Sequence, residues 1–206
     1  MSQPRQLMLP IVLVILTTLA MWFVYGVIEE RLHLTKEQMP ASEVQIGGAF
    51  SLTNQRGETI TDQSFPTKFK LVYFGFAHCP DVCPTDLGIM TQTMQALGKD
   101  ADKVQPIFIT VDPERDTVEA LKEYATNFYP GFQMLTGSKE AVSQAINGYK
   151  VYASQVEGHE VGKYLMNHSA FTYLMDKEGH YVTHFAHETE PEAMAKTITS
   201  HIQSAQ

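Results

Sequence analysis

Residues 71–84 read LVYFGFAHCPDVCP, and the fold turns on this stretch. Leu71 to Phe76 form an apolar run, rich in aromatic residues, of the kind a buried strand carries. Directly behind it stand Cys79 and Cys83, four positions apart and the only two cysteines of the 206 residues. Pro84 follows, and then Leu87, Met90, Met94 and Leu97 recur at three- and four-residue spacing, which predicts an amphipathic helix with proline in its first turn. The thiol pair therefore falls where a strand turns into a helix. Backbone N–H groups and the positive end of the helix dipole favour thiolate over thiol there, and thiolate is the form that attacks disulfides and binds soft metals. A spacing of four lets both sulfurs face one ion or face each other.

Towards the N-terminus, Leu7 to Ile28 is a run of 22 residues without a charge. At about 1.5 Å per residue such a helix covers the roughly 30 Å of bilayer hydrocarbon. Arg5 precedes it while Glu29 and Glu30 follow, so the positive-inside rule predicts a cytoplasmic N-terminus and an exported remainder. A cleaved signal peptide would have a shorter apolar core and a small-x-small site. No cysteine follows the run closely, so a lipoprotein anchor is excluded, and there is no Arg- and Ser-rich presequence of the mitochondrial kind. The expected organisation is a cytoplasmic N-terminus (1–6), a single transmembrane helix (7–28), a polar tether (29–45) and a domain (46–206) on the periplasmic side of a bacterial inner membrane. Beyond residue 28, 14 basic residues face 23 acidic ones, a net charge of −9 that argues against nucleic acid or anionic lipid as a partner. In an exported domain two cysteines usually mean a structural disulfide. A disulfide closing so short a loop gains little chain entropy, and a domain of this size does not need it.

From Phe50 the pattern is that of a folded domain. Phe50–Leu52 and Thr59–Thr61, around a turn at Asn54–Gly57, predict a hairpin. After the central strand and thiol helix comes a second buried strand, Gln105–Val111, ending in Asp112-Pro113-Glu114-Arg115-Asp116-Thr117. Asp116 or Thr117 caps a helix over Val118–Phe128. Phe132–Leu135 suits a short strand, Ser138 caps a helix to Asn147, and Tyr149–Val156 is extended before a polar turn at Glu157–Gly162 carrying His159. Ala170–Met175 and Tyr181–Ala186 form a second hairpin, and a helix over Pro191–Ile202 closes the chain. This order implies an α/β fold, a mixed sheet with helices on both faces.

That order, with a thiol pair where the first main strand enters a helix, resembles the thioredoxin fold preceded by an N-terminal hairpin. Three strings make the likeness closer: GFAHCPDVCP at Gly75–Pro84, TVDPERDT at Thr110–Thr117 and NHSAFTYLMDKEG at Asn167–Gly179. They resemble the signature regions of the Sco family, also called SenC, which are membrane-tethered copper proteins needed to assemble the binuclear copper A centre of cytochrome c oxidase. The resemblance implies one copper ion, Cu(I) or Cu(II), held by Cys79, Cys83 and His168. It implies as partners a copper donor protein and the oxidase subunit that bears the copper A site. Many relatives carry an acidic residue just before the ligand histidine, where this chain has Asn167.

Two thiolates and an imidazole suit copper in either oxidation state, or zinc. A structural zinc site usually has four ligands, so three indicate an open, exchangeable site. His168 alone, 85 positions after Cys83, reads as an ordinary core or surface histidine, and only the family resemblance implies that it is a ligand. His78 reads as a residue that orders the loop, Met166 as a core filler, and His180, His184 and His187 as a solvated face. Asp112–Thr117 has a sufficient structural reading as strand end, turn and cap. Loops after parallel strands gather at the same sheet edge as the thiols, so Asp112 and Arg115 are also candidates for supporting the ligands or for a docking surface. Three functions compete: a metallochaperone, which is not an enzyme; a thiol-disulfide reductase keeping the acceptor cysteines reduced, which needs no histidine; and a peroxiredoxin-like peroxidase, whose peroxide-activating surroundings are not visible here.

Overall fold

A computed structural model describes residues 16–29, 45–157 and 164–205. The chain divides into two compact units, Met1–Val44 and Gln45–Gln206. In the first, residues 16–29 are helical (α1) with Leu16, Met21, Trp22 and Phe23 exposed. Among the described residues no helix is long and apolar enough to cross a membrane. Residues 7–15 of the expected span, and residues 30–44 of the expected tether, lie outside the described residues.

The second unit is built on a seven-stranded mixed sheet in the order β2-β1-β5-β4-β3-β8-β9. Its first hairpin is β1 (Ser51–Asn54) and β2 (Thr59–Thr61). The turn closes through Gly57, at φ +79°, whose N–H donates to the Asn54 carbonyl at 2.9 Å. At the centre β3 (Phe69–Gly75) runs parallel to β4 (Val104–Thr110) and antiparallel to β8 (Thr172–Met175). Every residue of β3 and β4 is buried, which is why Leu71–Phe74 and Pro106–Ile109 read as continuous apolar runs and not as alternating ones. Between them stands the thiol helix α2 (Val82–Ala96), which buries Leu87, Met90 and Met94 as its spacing predicts. Successive strand residues face opposite ways. Tyr73 is turned to α2, while Phe74 packs at 5.1 Å on Tyr149, which follows α4 (Lys139–Gly148). Helices thus cover both faces, as in the thioredoxin-like arrangement.

The caps separate two expectations. Thr117 Oγ1 accepts from Ala120 N and caps α3 (Val118–Tyr124), so Asp116 is free for another task. Ser138 caps α4 by accepting from Ala141 N. The helix expected to reach Phe128 stops at Tyr124 and passes into a 3-10 turn, Ala125–Asn127. There the side chains of Thr126 and Asn127 take the Glu123 and Tyr124 carbonyls, a competition that ends helices. The strand expected at Phe132–Leu135 is β5 (Gln133–Thr136), parallel to β4. The chain ends with β9 (Tyr181–Phe185), antiparallel to β8, and α5 (Pro191–Ser204), joined to α2 by the Thr93 hydroxyl donating to the Pro191 carbonyl at 3.4 Å.

One element is new. β6 (Ala153–Glu157) and β7 (Tyr164–His168) pair antiparallel as a separate two-stranded ribbon, from Ala153↔His168 to Glu157↔Tyr164. His168, expected in a loop before a strand, ends one instead. Residues 158–163, including His159 of the expected polar turn, lie outside the described residues.

Candidate metal centre

Cys79 sits in the loop between β3 and α2, half-buried, and Cys83 lies in the first turn of α2, fully buried; both are free thiols. The loop folds back on itself. Cys79 N donates to the Phe76 carbonyl at 3.2 Å, and Cys83 N points at the Cys79 sulfur at 3.4 Å. Gly75 makes the room: a Cβ there would meet Cys83 Sγ at 2.8 Å and the Tyr73 ring at 2.9 Å. From the far end of the ribbon, His168 Nε2 comes within 3.3 Å of Cys83 Sγ. His168 Nδ1 is 3.2 Å from the Ser169 carbonyl. With its proton on Nδ1 the ring donates there and turns the Nε2 lone pair towards the sulfurs, the tautomer a metal ligand requires; with the proton on Nε2 it donates to the thiolate instead. Tyr73 and Phe76 hold the imidazole edge-on, with ring centroids 6.0 and 5.9 Å away.

The two thiols are unequal. Hydrogen bonding from the Cys83 side chain, helped by His168 and by backbone N–H groups, pulls Cys79 down to about 3, against the opposing effect of burial. Cys83 is pushed far up, first by the neighbouring Cys79 sulfur and then by burial. Half-buried Cys79 is thus the sulfur that favours the thiolate form, while buried Cys83 favours the thiol. The three donors expected from the resemblance are brought together, soft, and open on the Cys79 side, which fits copper as cargo.

Asp112 and Arg115 stand beside this site but touch none of the three donors. Asp112 is buried and pairs with the Arg115 guanidinium. Asp112 Oδ1 accepts from the Tyr164 hydroxyl at 2.9 Å, and Arg115 Nη1 donates to the Tyr164 carbonyl at 2.9 Å. Asp116 is the larger surprise. Fully buried, it reaches back to the thiol loop, accepting from Ala77 N at 3.0 Å and from the Thr110 hydroxyl at 2.6 Å, with His78 Nδ1 at 3.4 Å. His78 thus orders the loop through Asp116, as its sequence position suggested. Asn167 is exposed and alternates with His168 along β7, so its side chain belongs to the other face of the ribbon. Met166 packs against the core.

The three histidines expected on a solvated face take separate partners: Asp176 for His180, the Tyr181 hydroxyl for His184 and buried Asp86 for His187. Donor atoms of Asp176, Glu178 and His180 lie within 4.8 Å of one another in the β8–β9 turn, at the sheet end away from the thiols. Tyr164, the anchoring role of Asp116 and the Asp86–His187 pair were not foreseen. Their partners are distant in sequence, and only the Asp and His types hinted at them.

The SCO1/SenC family model matches residues 38–203. The SCO2-like protein of Rickettsia conorii is 40% identical over 156 residues, covering 75% of this chain and 76% of that protein. The copper-bound structure of Bradyrhizobium japonicum ScoI is 44% identical with TM-score 0.71, covering 75% of this chain and 98% of that one. Copper-bound yeast Sco1 is 36% identical with TM-score 0.72, covering 78% and 90%. A match of that extent in sequence and fold, over a domain that gathers two cysteines and a histidine, establishes that the chain belongs to the SCO1/SenC family.

Proposed function

We propose that the chain is a membrane-anchored copper chaperone that delivers copper to the copper A centre during assembly of cytochrome c oxidase. The observation that carries this reading is the convergence of Cys79, Cys83 and His168 on one point from three parts of the fold. The Sco proteins of Bradyrhizobium japonicum and yeast are seen with copper bound, and the Sco family is one of cytochrome c oxidase assembly proteins. The residues suit a cargo that must be released. The half-exposed Cys79 thiolate meets the incoming ion, Cys83 gives up its proton on ligation, and His168 closes the third side. Two thiolates and a neutral imidazole leave the site neutral around Cu(II) and at −1 around Cu(I), so either valence is tolerable. Transfer proceeds by exchange of these three donors for those of the acceptor.

A second reading, thiol-disulfide reductase, is favoured by the unequal thiols. An ionised outer cysteine and a protonated inner one are the attacking and resolving partners of disulfide exchange. The localisation proposed is the bacterial inner membrane, with the N-terminus cytoplasmic and the domain periplasmic, supported by the uncharged run of residues 7–28 and its flanking charges.

Metal analysis of the full-length protein tests the chaperone reading. When reduced it should take up one copper per chain, with strong sulfur-to-Cu(II) charge-transfer absorption. A Cys79–Cys83 disulfide should abolish both, and unchanged uptake after oxidation would move the ligands elsewhere. For topology, an export-dependent reporter should work after Gln206 and fail before Leu7.

A further inference from the structure

His168 is carried by a ribbon that belongs to neither edge of the main sheet, so its position depends on what holds the ribbon to the body. Tyr164, Met166 and His168 occupy alternate places on β7 and share one face. His168 reaches Cys83, Met166 packs on the core, and Tyr164 is gripped in three ways. Its hydroxyl donates to Asp112 Oδ1 at 2.9 Å. Its carbonyl accepts from Arg115 Nη1 at 2.9 Å. Its ring lies under the Arg115 guanidinium, 3.7 Å from the carbon to the ring centroid. The grip is itself fixed: Arg115 pairs with Asp112, and Asp112 N donates at 2.9 Å to the Thr110 hydroxyl at the end of β4.

We propose that Asp112, Arg115 and Tyr164 form a latch that positions His168 and thereby sets how tightly the site holds copper. The proposal rests on the copper reading of the site. Two physical connections carry it. The β6–β7 ladder pairs every residue from Tyr164 to His168, so a shift at one end is passed down the strand to the other. Arg115 also lies 5.8 Å from the Phe76 ring, and Phe76 holds the His168 ring edge-on. Because the Arg115 and Asp112 charges oppose each other, the latch adds no net charge beside the ligands. It acts on geometry, and Tyr164 is a positioning residue.

The test is a double-mutant cycle on the full-length chain, with Cu(II) affinity read by competition against a chelator. Tyr164→Ala should weaken Cu(II) binding by about tenfold or more, the usual cost of losing a group that orients a ligand. On a His168→Ala background the same change should add no further loss. In the copper-free chain, Tyr164→Ala should speed amide exchange over Met166–Ser169. Should Tyr164→Ala fail to fold, Tyr164→Phe, which keeps the ring and the carbonyl, carries the same cycle with a smaller loss confined to chains that keep His168. Unchanged affinity in a folded variant, or an equal loss with and without His168, overturns the latch alone. A wild-type chain that binds no copper, or binds it as tightly without His168, overturns the copper reading and the latch with it.

Discussion

His168 Nε2 lies 3.3 Å from Cys83 Sγ across 85 positions of sequence, and that contact separates a three-donor site from a plain dithiol. Disulfide exchange needs only the cysteines, whereas holding Cu(II) needs the imidazole as well. His168→Ala should therefore fold, keep a reversible disulfide and lose copper affinity by about 10- to 100-fold. Full oxidase assembly by this variant at limiting copper, with Cys79→Ser inactive, would favour the reductase over the chaperone.

The unequal thiols make a pH prediction. An ordinary thiol loses reactivity about tenfold per pH unit below its pKa of about 8.5. Cys79, held down to about 3, should stay ionised over the range where an ordinary thiol is protonated. Its alkylation by iodoacetamide should be nearly flat between about pH 5 and pH 8. Buried Cys83 should react only in denaturant. Mass spectrometry of alkylated peptides reads both, and a Cys79 rate that falls in step with pH would show an unperturbed thiol.

Gly75 offers a steric prediction. In Gly75→Ala the new methyl would stand 2.8 Å from Cys83 Sγ and 3.1 Å from the Phe108 ring, closer than van der Waals contact. Overpacking of a dense core costs about 1–3 kcal/mol, and here one crowded neighbour is Cys83, a copper ligand on the proposed reading. Lower stability should therefore come with weaker copper binding, measured by chemical denaturation and chelator competition. Wild-type affinity would mean that Cys83 has room to move.

What the chain shows of itself before folding follows from where periodicity is strong. The Leu71–Phe76 strand, the α2 stripe of Leu87, Met90 and Met94, and the Ser138 cap were legible because each is a local pattern set by burial or by a backbone donor. The β6–β7 ribbon was not, because it is partly exposed on both faces and residues such as Ser154, Gln155 and Asn167 give it no apolar alternation. The place of His168 beside the thiols was expected only from family resemblance, since nothing local distinguishes it. Tyr164 stayed hidden because its partners stand 52 and 49 positions away and one of its contacts is a stacking geometry.

Asp116 was read as an alternative helix cap, and its real role supports the last prediction. Its buried carboxylate ties Ala77 of the thiol loop to Thr110 at the end of β4. Asp116→Ala strands the Ala77 N–H and the Thr110 hydroxyl without an acceptor, at about 1–3 kcal/mol for each buried group left unpaired. Asp116→Asn keeps an acceptor oxygen for both and should be tolerated far better. The pH dependence separates charge from shape. Burial raises the Asp116 carboxyl above its usual range, even though the hydrogen bonds from Thr110 and Ala77 work the other way. A folded-state pKa above the unfolded value means that the carboxyl favours folding most below the unfolded value, about 4, and that this contribution is lost as pH rises through the folded value. Asn does not titrate. In denaturation series from about pH 4 upward, the stability of Asp116→Asn relative to wild type should therefore improve as pH rises and then level off. If wild type instead gained on the variant over that range, the carboxylate would be held below its usual range, and its ties to Ala77 and Thr110 would outweigh the cost of burial.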